Sequence, residues 1–336
     1  MKVSVLGASG YTGAQLVNYL DKHPKFDLET CYVSENSQDS GKKIQDLYPS
    51  LSLKKSYTLT PAGDSSIAQI ATQNDAVFLA LPHEVSHLWA NEFIAGGCKV
   101  FDLSGAYRIS NLDIFEKAYG FGHQYPQLIT KAAYGLAEFN CEAIATADLI
   151  AVPGCYPTAS LCAIKPIADA GLLRQGNMPV INATSGVSGA GRKASLTSSF
   201  CEVSLNAYGV LSHRHTPEIS EHAGHEVIFT PHLGNFKRGI LATITMFLSS
   251  DATQQKIDDA FNQAYAMEGL VKLVSGWPKV GDVQYTPFCH LHYKFDAETG
   301  CLIVCSAIDN LLKGAATQAI QCANIRFGLS NTEGLV

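Results

Sequence analysis

The chain has 336 residues, with 24 Lys and Arg against 30 Asp and Glu and a formal charge of −6; this balance offers no basic stripe for a phosphate backbone and argues against a nucleic-acid binder. Apolar residues make up 46% and charged ones 16%, which excludes a disordered or fibrous chain and, at this length, predicts two domains. No stretch supplies the roughly 20 apolar residues needed to cross a bilayer, and Met1 runs into KVSVLG without a signal-peptide pattern, so a cytoplasmic location is expected. The ten cysteines, scattered through apolar patterns, read as reduced and mostly buried thiols.

KVSVLGASGYTGAQLVNYL reads as a buried strand, a glycine turn and a helix with Leu16, Val17 and Leu20 on its apolar face. Further strands are predicted over Leu28–Val33, over the run Asp75–Pro82 that proline stops, and in CKVFDLSG ending at Gly105, with a helix in HEVSHLWANEFIAGG. Strands alternating with helices predict a doubly wound parallel sheet of Rossmann type over residues 1–152. Beyond it, PVINATSGV, EVIFTPHL, GILATITMFLS, CHLHYKFD and CLIVCSAID read as strands, several alternating with period two. They predict an α+β domain with a mixed or antiparallel sheet over residues 153–310. In the tail, Ala315, Ala316, Ala319, Ile320 and Ala323 fall at helical spacing, so 311–336 closes the chain with a tightly packed small-residue helix.

Gly7, Gly10 and Gly13 sit between the first strand and helix, where a tight turn brings N–H groups and the helix's positive end to a pyrophosphate; such turns also occur for structural reasons alone. Ser9, Tyr11 and Thr12 complete the loop, with Ser9 and Thr12 adding hydroxyls. The second strand ends at Val33 and Ser34 with no acid to grip a ribose 2′-hydroxyl, and Lys42 and Lys43 follow. NADP(H) is therefore expected in preference to NAD, unless these lysines are ordinary surface.

Cys155 follows a strand-like run and a Pro-Gly turn, with Pro157 at a predicted first helical position. A helix start acidifies a thiol and offers N–H groups to an oxyanion, both suited to acyl transfer. Burial as core is the alternative, and it is the reading given to Cys162 one repeat on. In SHRHTPEISEHAGHEV, His213, His215, His222 and His225 crowd one span. Zinc would need the outer histidines to converge, yet Pro217 interrupts them and no CxxC pair accompanies them, so no metal is expected. The better reading is a neutral imidazole that takes the Cys155 proton, His215 or else His213, with Glu218 one turn on to orient either ring.

These segments, with DLSGAYR, YGLAE, NATSGVSGAGR, TPHLGNFKRGIL and DNLLKGAA in the same order, resemble the N-acetyl-gamma-glutamyl-phosphate reductases of arginine biosynthesis, within the aspartate-semialdehyde dehydrogenase-like superfamily. The cysteine and histidine motifs are the specific ones; the glycine loop is shared with many dehydrogenases. The resemblance implies NADPH-dependent reduction of N-acetyl-gamma-glutamyl phosphate to N-acetylglutamate 5-semialdehyde through a Cys155 thioester, releasing phosphate. It implies Cys155 as nucleophile and His215 as base, substrate or phosphate contacts from Ser104, Arg108, Arg192, Lys193 and Glu218, and cofactor contacts from Ser34, Ser188, Gly189 and Asn310. It also implies return of the last helix to the first domain, and a homodimer or homotetramer. Ala106 departs from the family's acidic residue in that loop.

Three rivals remain at this level. An aspartyl-phosphate reductase of the same fold usually carries asparagine directly before the cysteine, where PGCYPT has glycine. A Cys/His hydrolase leaves GASGYTG without a task. A catalytically silent NADP sensor would bind the dinucleotide without turnover.

Overall fold

In the computed structural model, which describes residues 1–265 and 269–336, the chain divides into two units: residues 1–154 with 315–336, and residues 155–314. The first is built on β1 (Lys2–Leu6), β2 (Asp27–Ser34), β3 (Leu59–Ala62), β4 (Ala76–Leu79), β5 (Lys99–Asp102), β6 (Ala133–Tyr134) and β7 (Leu149–Ala151). All are parallel, in the order β3-β2-β1-β4-β5-β7-β6. Val3, Val5, Leu6 and every residue of β4 are fully buried, as strands covered on both faces must be. The helices Tyr11–Leu20 and His83–Ala95 return the chain between parallel strands, burying Leu16, Val17 and Leu20 on one and Trp89, Ala90 and Phe93 on the other. Strand order reverses between β1 and β4, which makes the crevice beyond their carboxyl ends the ligand position of such a sheet.

The same unit ends with the helix Thr317–Arg326, preceded by one wide π-type turn over Leu312–Ala316. Thr317 through Ile325 are all buried. Ala319 and Ala323 permit the close approach, while Gln318 Nε2 (2.8 Å) and the Cys322 thiol (3.1 Å) donate to the Gly135 carbonyl.

The second unit carries β8 (Val180–Gly186), β9 (Asn206–Ala207), β10 (Ile228–Gly234), β11 (Ile240–Phe247), β12 (Val271–Leu273), β13 (Cys289–Asp296) and β14 (Cys301–Ile308) in one mixed sheet, ordered β12-β13-β14-β11-β8-β10-β9. The β8–β10 and β12–β13 pairs are parallel and the others antiparallel. Along β11, Ile240, Ala242, Ile244 and Met246 are fully buried while their neighbours are not, the alternation of a sheet with one covered face. The helix Cys155–Asp169 packs on β11 and β14, flanked by the helices His215–Ala223 and Gln254–Tyr265.

Pro166 lies inside the Cys155 helix. Having no N–H, it leaves the Cys162 carbonyl one turn back without its usual donor. The Tyr265 hydroxyl takes that place at 2.6 Å.

The cysteines are less buried than expected. All ten are free thiols, yet of the nine besides Cys155 only Cys31, Cys98, Cys162, Cys289 and Cys322 are buried; Cys141 and Cys201 are exposed, and Cys301 and Cys305 half-buried. Cys141 opens a short surface helix, Cys201 lies in an irregular segment, and Cys301 and Cys305 alternate along the less covered face of β14. No helix among the described residues is long and apolar enough to cross a membrane.

Candidate active site

The glycine turn is shaped by what glycine alone permits. Gly7 has φ +85°, and a Cβ there would stand 2.1 Å from the Ala80 carbonyl oxygen; one on Gly13 would stand 2.2 Å from the Gly7 oxygen. The Gly7 and Ala8 N–H groups both donate to the Tyr32 carbonyl at 2.9 Å, tying the turn to β2. Gly10 is the N-cap, and a Cβ on it would meet only the Gly7 oxygen, at 3.4 Å. One side of the loop is therefore open, and the N–H groups of Tyr11, Thr12 and Gly13 face no intrahelical acceptor. A loop of this shape, at the strand-order switch point, can receive an anion such as a phosphate. Tyr48, which no motif flagged, braces it by donating to the Ser9 carbonyl at 2.7 Å.

Ser34 ends β2 exposed. Lys42 pairs with Asp39 at 3.0 Å, so part of its charge is answered locally. The Glu35 carboxylate, one residue past the strand, lies over Gly63, where a Cβ would stand 2.0 Å from Oε1.

DLSGAYR forms the loop after β5. Asp102 is fully buried and accepts from the Ser86 hydroxyl (2.5 Å), the Ser104 hydroxyl (2.8 Å) and the Ser104 N–H (2.9 Å). Burial pushes its carboxyl up from the ordinary range, against these hydrogen bonds and the Arg108 charge. Ser104 is thus engaged with Asp102, and its oxygen also accepts from the Ala106 N–H. Arg108 is 6% exposed and donates through Nη2 to the Leu103 carbonyl at 2.7 Å. Ala106 is fully buried, so the departure from an acid leaves no carboxylate there to satisfy.

In the second unit, the helix begins at Cys155 itself, making Pro157 its third residue instead of its first. The missing N–H costs nothing at either place, because the first turn has no intrahelical acceptors. Cys155 is half-buried, whereas Tyr156 through Ile164 are buried, so of this stretch Cys155 is the residue left partly accessible.

His215 opens the helix His215–Ala223 and is 6% exposed; Glu218, in the first turn, is fully buried. His213 Nδ1 accepts the His215 main-chain N–H at 3.1 Å. The His213 ring is caged edge-on by His215 (4.9 Å between centroids), Phe229 (5.4 Å), Tyr208 (5.5 Å) and Tyr156 (5.7 Å). Burial, with the Arg214 charge behind it, pushes His213 down to about 4, keeping it neutral at physiological pH. The Tyr156 ring also meets His215, at 6.1 Å. Both imidazoles therefore share one ring with the residue next to Cys155. His222 and His225 lie at the far end of that helix and just beyond it.

The second glycine loop, a single turn over Val187–Ala190, is held by Asn310, which accepts the Gly239 N–H (2.6 Å) and donates to the Ser188 hydroxyl (3.0 Å). Gly189 is exposed beside it, and a Cβ there would meet Ser185 Oγ at 3.1 Å. Arg192 and Lys193 lie exposed beyond. Beneath the loop, Arg238 forms a buried ion pair with Asp309, a partnership that spacing in the sequence did not reveal.

Residues 2–147 match the family model described as semialdehyde dehydrogenase, NAD binding domain, and residues 155–310 match that described as semialdehyde dehydrogenase, dimerisation domain. An N-acetyl-gamma-glutamyl-phosphate reductase of Pseudoalteromonas atlantica is 53% identical over 336 residues, covering 100% of this chain and 98% of its own. One of Alteromonas mediterranea is 55% identical over 334 residues, covering 99% of each. Among solved structures, aspartate semialdehyde dehydrogenase II of Vibrio cholerae superimposes with a TM-score of 0.73 at 19% identity, over 97% of this chain and 98% of that one; at that identity the likeness is one of fold. Two adjoining family matches and relatives more than half identical end to end establish that the chain belongs to the semialdehyde dehydrogenase family, among its N-acetyl-gamma-glutamyl-phosphate reductases.

Proposed function

We propose that this enzyme reduces N-acetyl-gamma-glutamyl phosphate to N-acetylglutamate 5-semialdehyde, releasing inorganic phosphate. The observation that carries the mechanism is Cys155 at a helix start, with its neighbour's ring against both His213 and His215. The Cys155 thiol gives its proton to His215, and the thiolate attacks the acyl carbon and expels phosphate, leaving a thioester on Sγ. N–H groups at the start of the Cys155 helix hold the oxyanion. NADPH, when bound, supplies the hydride that reduces the thioester carbon. As the resulting thiohemiacetal collapses, the C–S bond breaks and the His215 imidazolium protonates the departing sulfur, freeing the aldehyde.

His215 is assigned as the base in preference to His213, which already spends Nδ1 on the His215 main chain and whose affinity for a proton is lowered by burial. Glu218, in the same first turn, orients His215 or meets substrate. Gly7, Ser9, Gly10, Tyr11, Thr12 and Gly13 hold the NADP(H) pyrophosphate, with Ser34 toward the adenosine ribose. Ser188 and Gly189 serve the nicotinamide end, and Asn310 acts through them, since its amide is engaged by Ser188 and Gly239. Ser104 and Arg108 take the substrate's anionic groups, and Arg192 and Lys193 the leaving phosphate. Residues 1–154 with the last helix form the cofactor domain, and residues 155–314 the catalytic domain through which a homodimer or homotetramer assembles in the cytoplasm.

The test runs the reaction backwards. NADPH formation should require N-acetylglutamate semialdehyde and phosphate together, with aspartate semialdehyde a poor substitute, and Cys155→Ser should abolish it. Phosphate-independent turnover would disprove the acyl-phosphate product, and turnover by Cys155→Ser would disprove the thioester route.

A further inference from the structure

Resting on the reading of Cys155 and His215 above, we infer that Tyr208 is a positioning residue for that pair, bracing His213 on one side and Tyr156 on the other. Its ring lies edge-on to His213 at 5.5 Å, and its hydroxyl donates to the Tyr156 hydroxyl at 3.2 Å. Each partner passes the constraint on. His213 accepts the N–H of His215 at 3.1 Å, and Tyr156, covalently next to Cys155, donates onward to the His232 carbonyl at 3.0 Å.

The backbone around Tyr208 is built to make this contact. Its N–H donates to the Pro231 carbonyl at 3.1 Å, continuing the antiparallel pairing of β9 with β10. The chain then reverses through Gly209, at φ +54°, and Leu211, at φ +57°. The left-handed region is uncommon for a residue such as leucine and marks a turn held by its surroundings. The Ser212 N–H closes it onto the Gly209 carbonyl at 3.1 Å. A Cβ on Gly209 would stand 3.4 Å from His213 Cβ and Cδ2, so the turn lays His213 directly back against the segment that carries Tyr208. In the same stretch Leu196, Phe200, Leu205 and Leu211 are 80%, 93%, 64% and 76% exposed, against 37% for Tyr208. Tyr208 is thus the least exposed of these side chains, and its ring and hydroxyl meet His213 and the neighbour of the nucleophile.

The experiment compares Tyr208→Leu, Tyr208→Phe and a Tyr208→Leu/His213→Ala double variant in the full enzyme, with thermal melting to confirm folding. Loosening the imidazole should lower kcat about tenfold in Tyr208→Leu with KM within about threefold, because a misplaced catalytic group costs turnover more than binding. Tyr208→Phe keeps the ring and should recover kcat to within about threefold. In the double variant, Tyr208→Leu should cost clearly less on top of His213→Ala than it costs alone, because the His213 branch of the brace is already gone. Wild-type kcat in a folded Tyr208→Leu enzyme, equal losses in the Leu and Phe variants, or full additivity with His213→Ala would each overturn the inference and leave the roles of Cys155 and His215 standing. Those roles fail separately, if Cys155→Ser or His215→Asn retains wild-type turnover.

Discussion

Gly314 leaves no room beside Cys155: a Cβ built on it would stand 2.9 Å from the Cys155 Cβ and 3.2 Å from Ile308 Cδ1. Its φ lies outside the left-handed region, so the requirement is for space alone. Gly314→Ala should therefore fold, at a cost of about 1–3 kcal/mol from overpacking. Because the displaced atom belongs to the nucleophile, kcat should fall about tenfold or more. Alkylation of Cys155, followed by peptide mass, should change rate in parallel. Unchanged kcat and alkylation in a folded variant would show that the contact relaxes away from the thiol.

The two histidines of HRH should separate in their kinetics. His215→Asn removes the proton carrier and should lower kcat by about 10²–10⁴-fold. His213→Asn, which retains an acceptor for the His215 N–H now received at 3.1 Å, should lose far less, while His213→Ala falls between. Steady-state kcat for the three variants decides the order. A greater loss at His213 than at His215 would exchange their roles.

What the sequence made legible follows from how local each cause is. The glycine turn, the buried strands and the Cys155 turn are written in consecutive residues, and the structure places β1, β2, β4, β5 and the Cys155 helix where the pattern pointed. Short edge strands were not legible: β3 is LTPA with its proline at the edge of the sheet, and β6 has two residues, too few for any periodicity. Nor were long-range partners. Tyr48 against Ser9, Arg238 against Asp309 and Tyr208 against Tyr156 are separated by 39, 71 and 52 residues, and only the fold brings them together. HRH left its two rings equivalent in the sequence; a hydrogen bond and an aromatic cage distinguish them in space.

Stability should fall with acidity in a defined window. Burial, with the charge of a neighbouring group, pushes His123 and His213 from an ordinary 6.5 down to about 4. Between those values the unfolded chain takes up protons that the folded one refuses, so stability is lost as pH drops from about 6.5 toward 4 and regained as it rises. His123→Asn, which can still offer an oxygen to the Tyr125 N–H that donates to His123 Nδ1, should flatten this dependence. Melting temperatures from pH 7.5 to 4.5 provide the check, and an identical slope in the variant would contradict the depressed imidazole.

Tyr265 and Pro166 form a compensating pair whose effect should appear in stability and not in chemistry. Pro166 cannot donate to the Cys162 carbonyl one turn back, and the Tyr265 hydroxyl does so instead at 2.6 Å. Tyr265→Phe keeps the ring but leaves that carbonyl, in a helix turn whose side chains are buried, without the phenol, at a cost of about 1–3 kcal/mol. Restoring the main-chain donor by Pro166→Ala should offset part of this loss, because the alanine N–H reaches the same oxygen. A double-mutant cycle by denaturant unfolding then measures the coupling, and kcat per folded enzyme should stay near wild type throughout, since the contact lies two turns down the helix from Cys155. Additive losses would mean that the hydroxyl does not substitute for the missing N–H.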